Sequence, residues 1–328
     1  MKRRVYDESD VRIRPGKPTR PRTKNRPEHR NADRAMVVSV DRGRWGCVLD
    51  NEDRFVIAMR ARELGRTPIV VGDYVEIVGD TSGRPDTLAR IIRLEDRSSV
   101  LRRTADDTDP YERIVVANAQ KLLIVVAAAD PTPRTGFVER ALVAAYVGGI
   151  EPILCVTKSD LADPAEFTRH FDGLDLTIVH GGTHNPTEPI LELITGQVTA
   201  LIGHSGVGKS TLVNRLVPDA SRAVGVVSGI GKGRHTSSQS VALRLPGGGW
   251  VVDTPGIRSF GLAHIEADDV VKAFDDLADV IEQCPRGCTH LGPPEDPECA
   301  FDTLSGAALR RALAVRVLLA ALATNDSW

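Results

Sequence analysis

No run in the 328-residue chain reaches the roughly 18 apolar residues that a membrane span needs. The N-terminus is basic and proline-containing with no apolar stretch, so no signal peptide is expected. Cysteine is scarce. Five residues in this length do not make a secreted disulfide framework, and an odd number argues against full pairing. Excess charge of one sign is also missing, because 42 Lys+Arg stand against 44 Asp+Glu for a formal charge of −2. With 41% hydrophobic and 26% charged residues, collagen, a disulfide scaffold and a wholly disordered chain are excluded. These absences lead to the expectation of a soluble, cytoplasmic protein with at least one sizeable core.

The neutral sum hides an asymmetry. Residues 1–34 hold 12 basic and 5 acidic residues, a net +7, which leaves 30 basic against 39 acidic in the remainder. This segment also carries Pro15, Pro18, Pro21 and Pro27 and almost no large apolar residues, so it is expected to be a disordered tail. It reads either as a solubilising tail or as an arm that meets a phosphate backbone.

Next come five short apolar or alternating runs: Ala35–Val40, Trp45–Leu49, Phe55–Ala58, Tyr74–Val78 and Leu88–Leu94. Turns rich in Gly and Asp punctuate them, which fits a small closed barrel such as an OB-fold, with an SH3-like barrel as the competitor. From about residue 114 the texture changes. Lys121–Ala129 is a continuous apolar run, as expected of a parallel strand buried on both faces. Gly136–Val147 has helical spacing, Pro152–Val156, Val198–Ile202 and Trp250–Val252 read as strands, and Ile190–Ile194 as a helix end. That alternation predicts an α/β domain with a mostly parallel sheet. Beyond about residue 265, Asp268–Ile281 and Gly306–Ala323 are helical by periodicity.

Gly203-His204-Ser205-Gly206-Val207-Gly208-Lys209-Ser210 fits G-x-x-x-x-G-K-[ST], follows a predicted strand and precedes a helix-compatible run from Thr211. Such glycines let backbone N–H groups turn onto a phosphate at a helix N-terminus. Lys209 is expected to reach the β- and γ-phosphates and Ser210 to offer its hydroxyl to Mg²⁺. Val251-Val252-Asp253-Thr254-Pro255-Gly256 is a strand ending in D-x-x-G, with Asp253 holding Mg²⁺ through water and the Gly256 N–H sensing the γ-phosphate. Between the two lies a glycine-rich polar segment, residues 229–238. Its Thr236, or the neighbouring Ser237, is expected to complete the Mg²⁺ shell. Thr157-Lys158-Ser159-Asp160 resembles the [NT]-K-x-D guanine-specificity motif. A carboxylate at Asp160 accepts from guanine N1–H and N2–H₂, donors that adenine does not present, while Lys158 lays its stem along the base. Thr157 replaces the commoner Asn.

In ordinary GTPases the base-reading motif follows the P-loop and D-x-x-G, whereas here it precedes both, so the chain looks circularly permuted. A further constellation, Cys284-x₃-Cys288-x-His290-x₈-Cys299, suits a closed Cys₃His Zn²⁺ site of structural type. Cys47 and Cys155 sit in apolar runs and read as core thiols.

Together these motifs resemble the RsgA (YjeQ) family of ribosome small subunit-dependent GTPases, over about residues 34–320. The resemblance implies a multidomain chain. Residues 1–34 would form a basic tail, 35–102 an OB-fold β-barrel, 103–264 a circularly permuted α/β P-loop GTPase domain, and 265–328 an α-helical zinc-binding domain. It also implies GTP hydrolysis stimulated by the small (30S) ribosomal subunit, a role in that subunit's late maturation, and contacts to rRNA. Mg²⁺ with GTP and one structural Zn²⁺ are the implied cofactors. The alternative is an rRNA-binding scaffold whose GTP site senses occupancy. Nothing requires more than a monomer, and no membrane partner is expected. Ile257 stands where many GTPases place a water-orienting glutamine, and isoleucine cannot polarise water. His235, resembling a histidine in the family's switch region, is the candidate catalytic group, with ordering against RNA as the other reading.

Overall fold

Five short strands open the folded chain. In the computed structural model, residues 29, 31–50, 52–104, 111–218, 240–254 and 261–323 are described. Of the tail expected over residues 1–34, positions 1–28 and 30 lie outside them, but its last two residues are not tail: Asp33 and Arg34 begin the first strand, and Arg34 is ion-paired with Asp50 and Glu95. Strands β1 (Asp33–Asp41), β2 (Arg44–Leu49), β3 (Phe55–Arg60), β4 (Tyr74–Gly79) and β5 (Ala89–Leu94) pair in the order β1-β2-β3-β5-β4, and β4 returns to β1. Only the β3–β5 pairing is parallel. This closed five-stranded ring is the OB arrangement expected from the turn-punctuated runs. Ala35, Val37, Cys47, Val56, Ala58, Val75, Ile77 and Ile91 fill it. Met36 and Val38, on the other face of β1, join a second apolar core built on the later strands and helices instead. Strand β1 therefore serves two cores, one on each side of its pleat.

A hairpin of β6 (Val100–Arg103) and β7 (Arg113–Ala117) leads out of the barrel, and its Leu101 and Val116 enter that second core. Sequence periodicity did not predict it, since Val100–Arg103 offers only two apolar residues before two arginines.

The remaining strands are β8 (Lys121–Ala127), β9 (Glu151–Thr157), β10 (Thr177–His180), β11 (Val198–Ile202), β12 (Val241–Arg244) and β13 (Trp250–Asp253). They lie in the order β10-β9-β8-β11-β13-β12, all parallel except β12, and β12 meets β1 of the barrel at Val241 and Ser39. On β8, Leu122, Ile124 and Val126 face one apolar cluster and Leu123, Val125 and Ala127 the other. Both faces are covered, so the strand reads as an unbroken apolar string. Helix α1 (Thr135–Val147) covers the first face, and α3 (Glu188–Ile194) and α4 (Lys209–Leu216) cover the second; α2 (Ala165–Arg169) is short.

Helices α5 (Ala267–Lys272), α6 (Asp275–Ala278) and α7 (Gly306–Ala323) complete the described chain. The single helix expected over Asp268–Ile281 is broken. Phe274 adopts an extended backbone (φ −113°, ψ 101°), which turns its ring inward to within 4.6 Å of the Tyr146 ring. Packing of one aromatic thus outweighs helical continuity. Helix α7 buries Ala312, Val315, Leu318 and Leu319 in the cluster that α1 shares. Arg140 of α1 is almost wholly buried and donates from Nη1 to Ala321 O at 2.9 Å, meeting a last-turn carbonyl of α7. Burial pushes the Cys47 and Cys155 thiols up to about 12, which keeps them as neutral core residues. Among the described residues, no helix is long and apolar enough to cross a membrane.

Candidate functional site

Parallel sheets collect ligands at the carboxyl ends of their strands. Here the register sets Ala127 of β8 beside Thr157 of β9, and Leu201 of β11 beside Asp253 of β13. The predicted base-reading turn, the P-loop and the D-x-x-G strand therefore open on one edge of the sheet, although they lie far apart in the chain.

The P-loop leaves β11 at Gly203 and enters α4 at Lys209. Gly206 and Gly208 have φ of +86° and +88°, conformations that side-chain-bearing residues rarely adopt and that an anion-holding nest of backbone N–H groups requires. Val207 between them is buried with Leu212 and Val125 and anchors the loop. Lys209 Nζ donates to Thr254 O at 2.8 Å and lies 3.1 Å from Asp253 Oδ1. Ser205, Ser210 and Thr211 are exposed. The His204 ring packs on Phe137 of α1, with centroids 4.3 Å apart. Burial, with Arg134 nearby, holds its pKa below the usual imidazole range, so it is neutral.

Thr157 is fully buried, and its hydroxyl sits 2.6 Å from Val207 O and 3.1 Å from Val126 O. A threonine at this position thus reaches the P-loop directly. Lys158 has φ +55°, and its ammonium donates to Asp130 O in the loop after β8. Asp160 is exposed. The structure thus brings Thr157, Lys158, Gly203–Ser210 and Asp253 to one edge. His235, Thr236, Ser237, Gly256 and Ile257 lie outside the described residues.

Three groups at this edge escape sequence reading. Thr254 donates its hydroxyl to Leu201 O, tying β13 to β11, and its place inside the D-x-x-G motif was the one available signal. The Asp130 carbonyl and the Arg215 guanidinium carry no local signature, because folding alone brings them here.

The second site is the cysteine cluster. The ligand atoms of Cys284, Cys288, His290 and Cys299 lie within 4.8 Å of one another, and together they could hold a metal ion. His290 turns Nδ1 toward Cys284 Sγ (3.5 Å), while Nε2 meets Asp268 Oδ1 of α5 at 3.2 Å. A carboxylate on the far nitrogen of a ligating imidazole fixes its tautomer and direction. Ala300 N–H donates to Cys284 Sγ at 3.3 Å. Burial, with the other thiols close by, pushes Cys284 up and Cys288 up to about 12. Thiols ligate a metal only after losing their protons, so binding here would release protons, and the Cys₃His donor set fits Zn²⁺.

Residues 94–263 match the family model described as RsgA GTPase. Among curated proteins, the chain is 34% identical over 278 residues to the small ribosomal subunit biogenesis GTPase RsgA of Gemmatimonas aurantiaca, spanning 81% of this chain and 88% of that one. Among solved structures, YjeQ from Thermotoga maritima aligns with a TM-score of 0.62 at 24% identity, over 88% of this chain and 99% of that one. YloQ, titled a circularly permuted GTPase, aligns with a TM-score of 0.61 at 20% identity, over 90% of this chain and 97% of that one. These two share its fold.

Proposed function

The chain belongs to the RsgA GTPase family, and on that premise we propose that this GTP hydrolase binds the small ribosomal subunit, assists its late maturation and couples hydrolysis to release. The observation that carries the nucleotide half is the 2.6 Å contact from Thr157 to Val207 O, which locks the base-reading turn onto the phosphate loop. Lys209 and the P-loop backbone hold phosphates. Asp160 selects guanine, and Lys158, propped on the Asp130 carbonyl, lines the base. Ser210, Asp253 and Thr236 would hold Mg²⁺, which neutralises charge on the phosphates when bound. His235 is our candidate for the catalytic group that Ile257 cannot be, and the intrinsic rate is accordingly slow.

The Cys₃His cluster would hold one Zn²⁺ in a closed, structural role. The +7 arm of residues 1–34 is a candidate contact to rRNA, since an acidic body needs local basic surface to meet a polyanion. The domain limits at 34, 102 and 264 and a monomeric, cytoplasmic state belong to the same reading.

Single-turnover GTP hydrolysis with and without purified small subunits tests it, alongside co-sedimentation under GTP, GDP and a non-hydrolysable analogue. Stimulated turnover and GTP-dependent pelleting are expected. Pelleting without stimulated turnover would favour an occupancy-sensing scaffold instead.

A further inference from the structure

The turn that follows β10 has an unusual construction. Gly181 N–H still donates to Val156 O at 2.8 Å, so the turn begins as an extension of the β9–β10 pairing. A Cβ on Gly181 would lie 2.7 Å from Cys155 Sγ, and Gly182 has φ +108°. Gly182 also lies against the base-reading turn, since a Cβ there would be 3.6 Å from Lys158 N and from Thr157 Cβ. The chain therefore needs two glycines to bring this segment against Thr157 and Lys158. Neither glycine has a side chain with which to hold the segment there.

A residue from another element supplies the hold. Arg215 stands in the last turn of α4, the helix whose first residue is Lys209 of the P-loop. Its Nη1 donates to Gly182 O and to Asn185 O, the latter at 2.7 Å. A planar, always-charged guanidinium suits the capture of two carbonyls at a fixed angle better than a flexible ammonium does. The six-residue step from Lys209 to Arg215 spans about 9 Å of helix. One rigid rod thus carries a phosphate ligand at its start and the clamp on the 181–185 turn at its end.

We infer that Arg215 is a positioning residue for base discrimination, holding residues 181–185 as a wall of the guanine pocket beside Lys158 and Asp160. The inference rests on the guanine reading given under the proposed function. It predicts that the energetic consequence of losing Arg215 falls on the base and not on the phosphates.

The test uses the full chain and compares dissociation constants for GDP, ADP and inorganic tripolyphosphate, the last by competition with a fluorescent GDP. Arg215→Met keeps the apolar stem and removes the donors. It is expected to weaken GDP roughly tenfold, narrow the GDP-over-ADP preference by a similar factor and leave tripolyphosphate within about twofold. Arg215→Lys restores part of the preference. An unchanged GDP-over-ADP ratio, or equal weakening of GDP and tripolyphosphate, would overturn the inference. Should Arg215→Met not fold, Arg215→Gln is read in the same way. A wild-type chain that does not prefer GDP to ADP would instead sink the guanine reading itself. A wild-type preference untouched by Arg215 variants sinks only the clamp.

Discussion

The nucleotide edge and the cysteine cluster reach a defined geometry by opposite routes. At the nucleotide edge, groups from Thr157 to Thr254 are drawn from four parallel strands, and backbone carbonyls act as the fixing points: Val207 O for Thr157, Thr254 O for Lys209, Asp130 O for Lys158. The cluster draws its four ligands from a stretch of sixteen residues rich in Pro and Gly, with a carboxylate from α5 as outside support. The first is held by a sheet that exists for its own core. The second packs Cys299 and Phe301 into the core that it shares with α1, and on the reading proposed above a bound ion would fix its loop. A site supported by a sheet is expected to lose function when a side chain is cut while keeping its shape. A site supported by an ion is expected to lose both.

The largest break in that contrast is Cys288→Ser or exhaustive chelation. Structural zinc contributes about 10 kcal/mol or more of apparent binding free energy at such sites. Amide exchange over residues 284–303 should accelerate by orders of magnitude, while β8 and β11 stay protected and GDP still binds. Collapse of β8 protection would show that the two regions are one cooperative unit.

Next in size, Lys209→Ala should weaken GTP on the order of 100-fold, since hydrogen bonds to charged groups are the strong ones. Circular dichroism and zinc content should be unchanged. Asp268→Ala isolates the support of the cluster without touching a ligand. It should lower zinc affinity between about 10- and 100-fold in competition with a chromophoric chelator, with nucleotide affinity intact. The smallest effect is expected for Thr157→Val, which leaves Val207 O without its hydroxyl donor. A loss of about 1–2 kcal/mol in urea unfolding is expected, with GDP weakened several-fold.

The two regions were also unequally legible in sequence. The cluster is a pattern of ligand types at short spacing, so it could be read without a fold. Its Asp268 support could not, because it lies 22 residues upstream in what reads as a plain helix surface. The phosphate loop was legible for a different reason: its glycines encode backbone conformation directly, and β11 ran over Val198–Ile202 as predicted. Strands β8 and β9 were visible because both faces are buried. Strands β10 and β12 and the β6–β7 hairpin are short and stand beside no motif, whereas β13, also four residues, was visible because it runs into D-x-x-G. Phe274 and Arg215 mark the other limit. A ring that breaks a helix to reach Tyr146, and a guanidinium that reaches a loop 30 residues earlier, act through tertiary partners that no local window contains.

The meeting of β1 with β12 has one more consequence. An open sheet exposes rows of unpaired N–H and C=O groups at its two borders, and such borders invite other chains to add strands. Here one border runs into the barrel through Ser39 and Val241, reinforced by the Arg244–Asp53 ion pair, and the barrel closes on itself through β4. Among the described residues, the border left to solvent is β10, only four residues long and ended by the Gly181–Gly182 turn. The barrel thus caps a border of the sheet that would otherwise present unpaired backbone groups, a consequence for the folded chain that is independent of anything it binds.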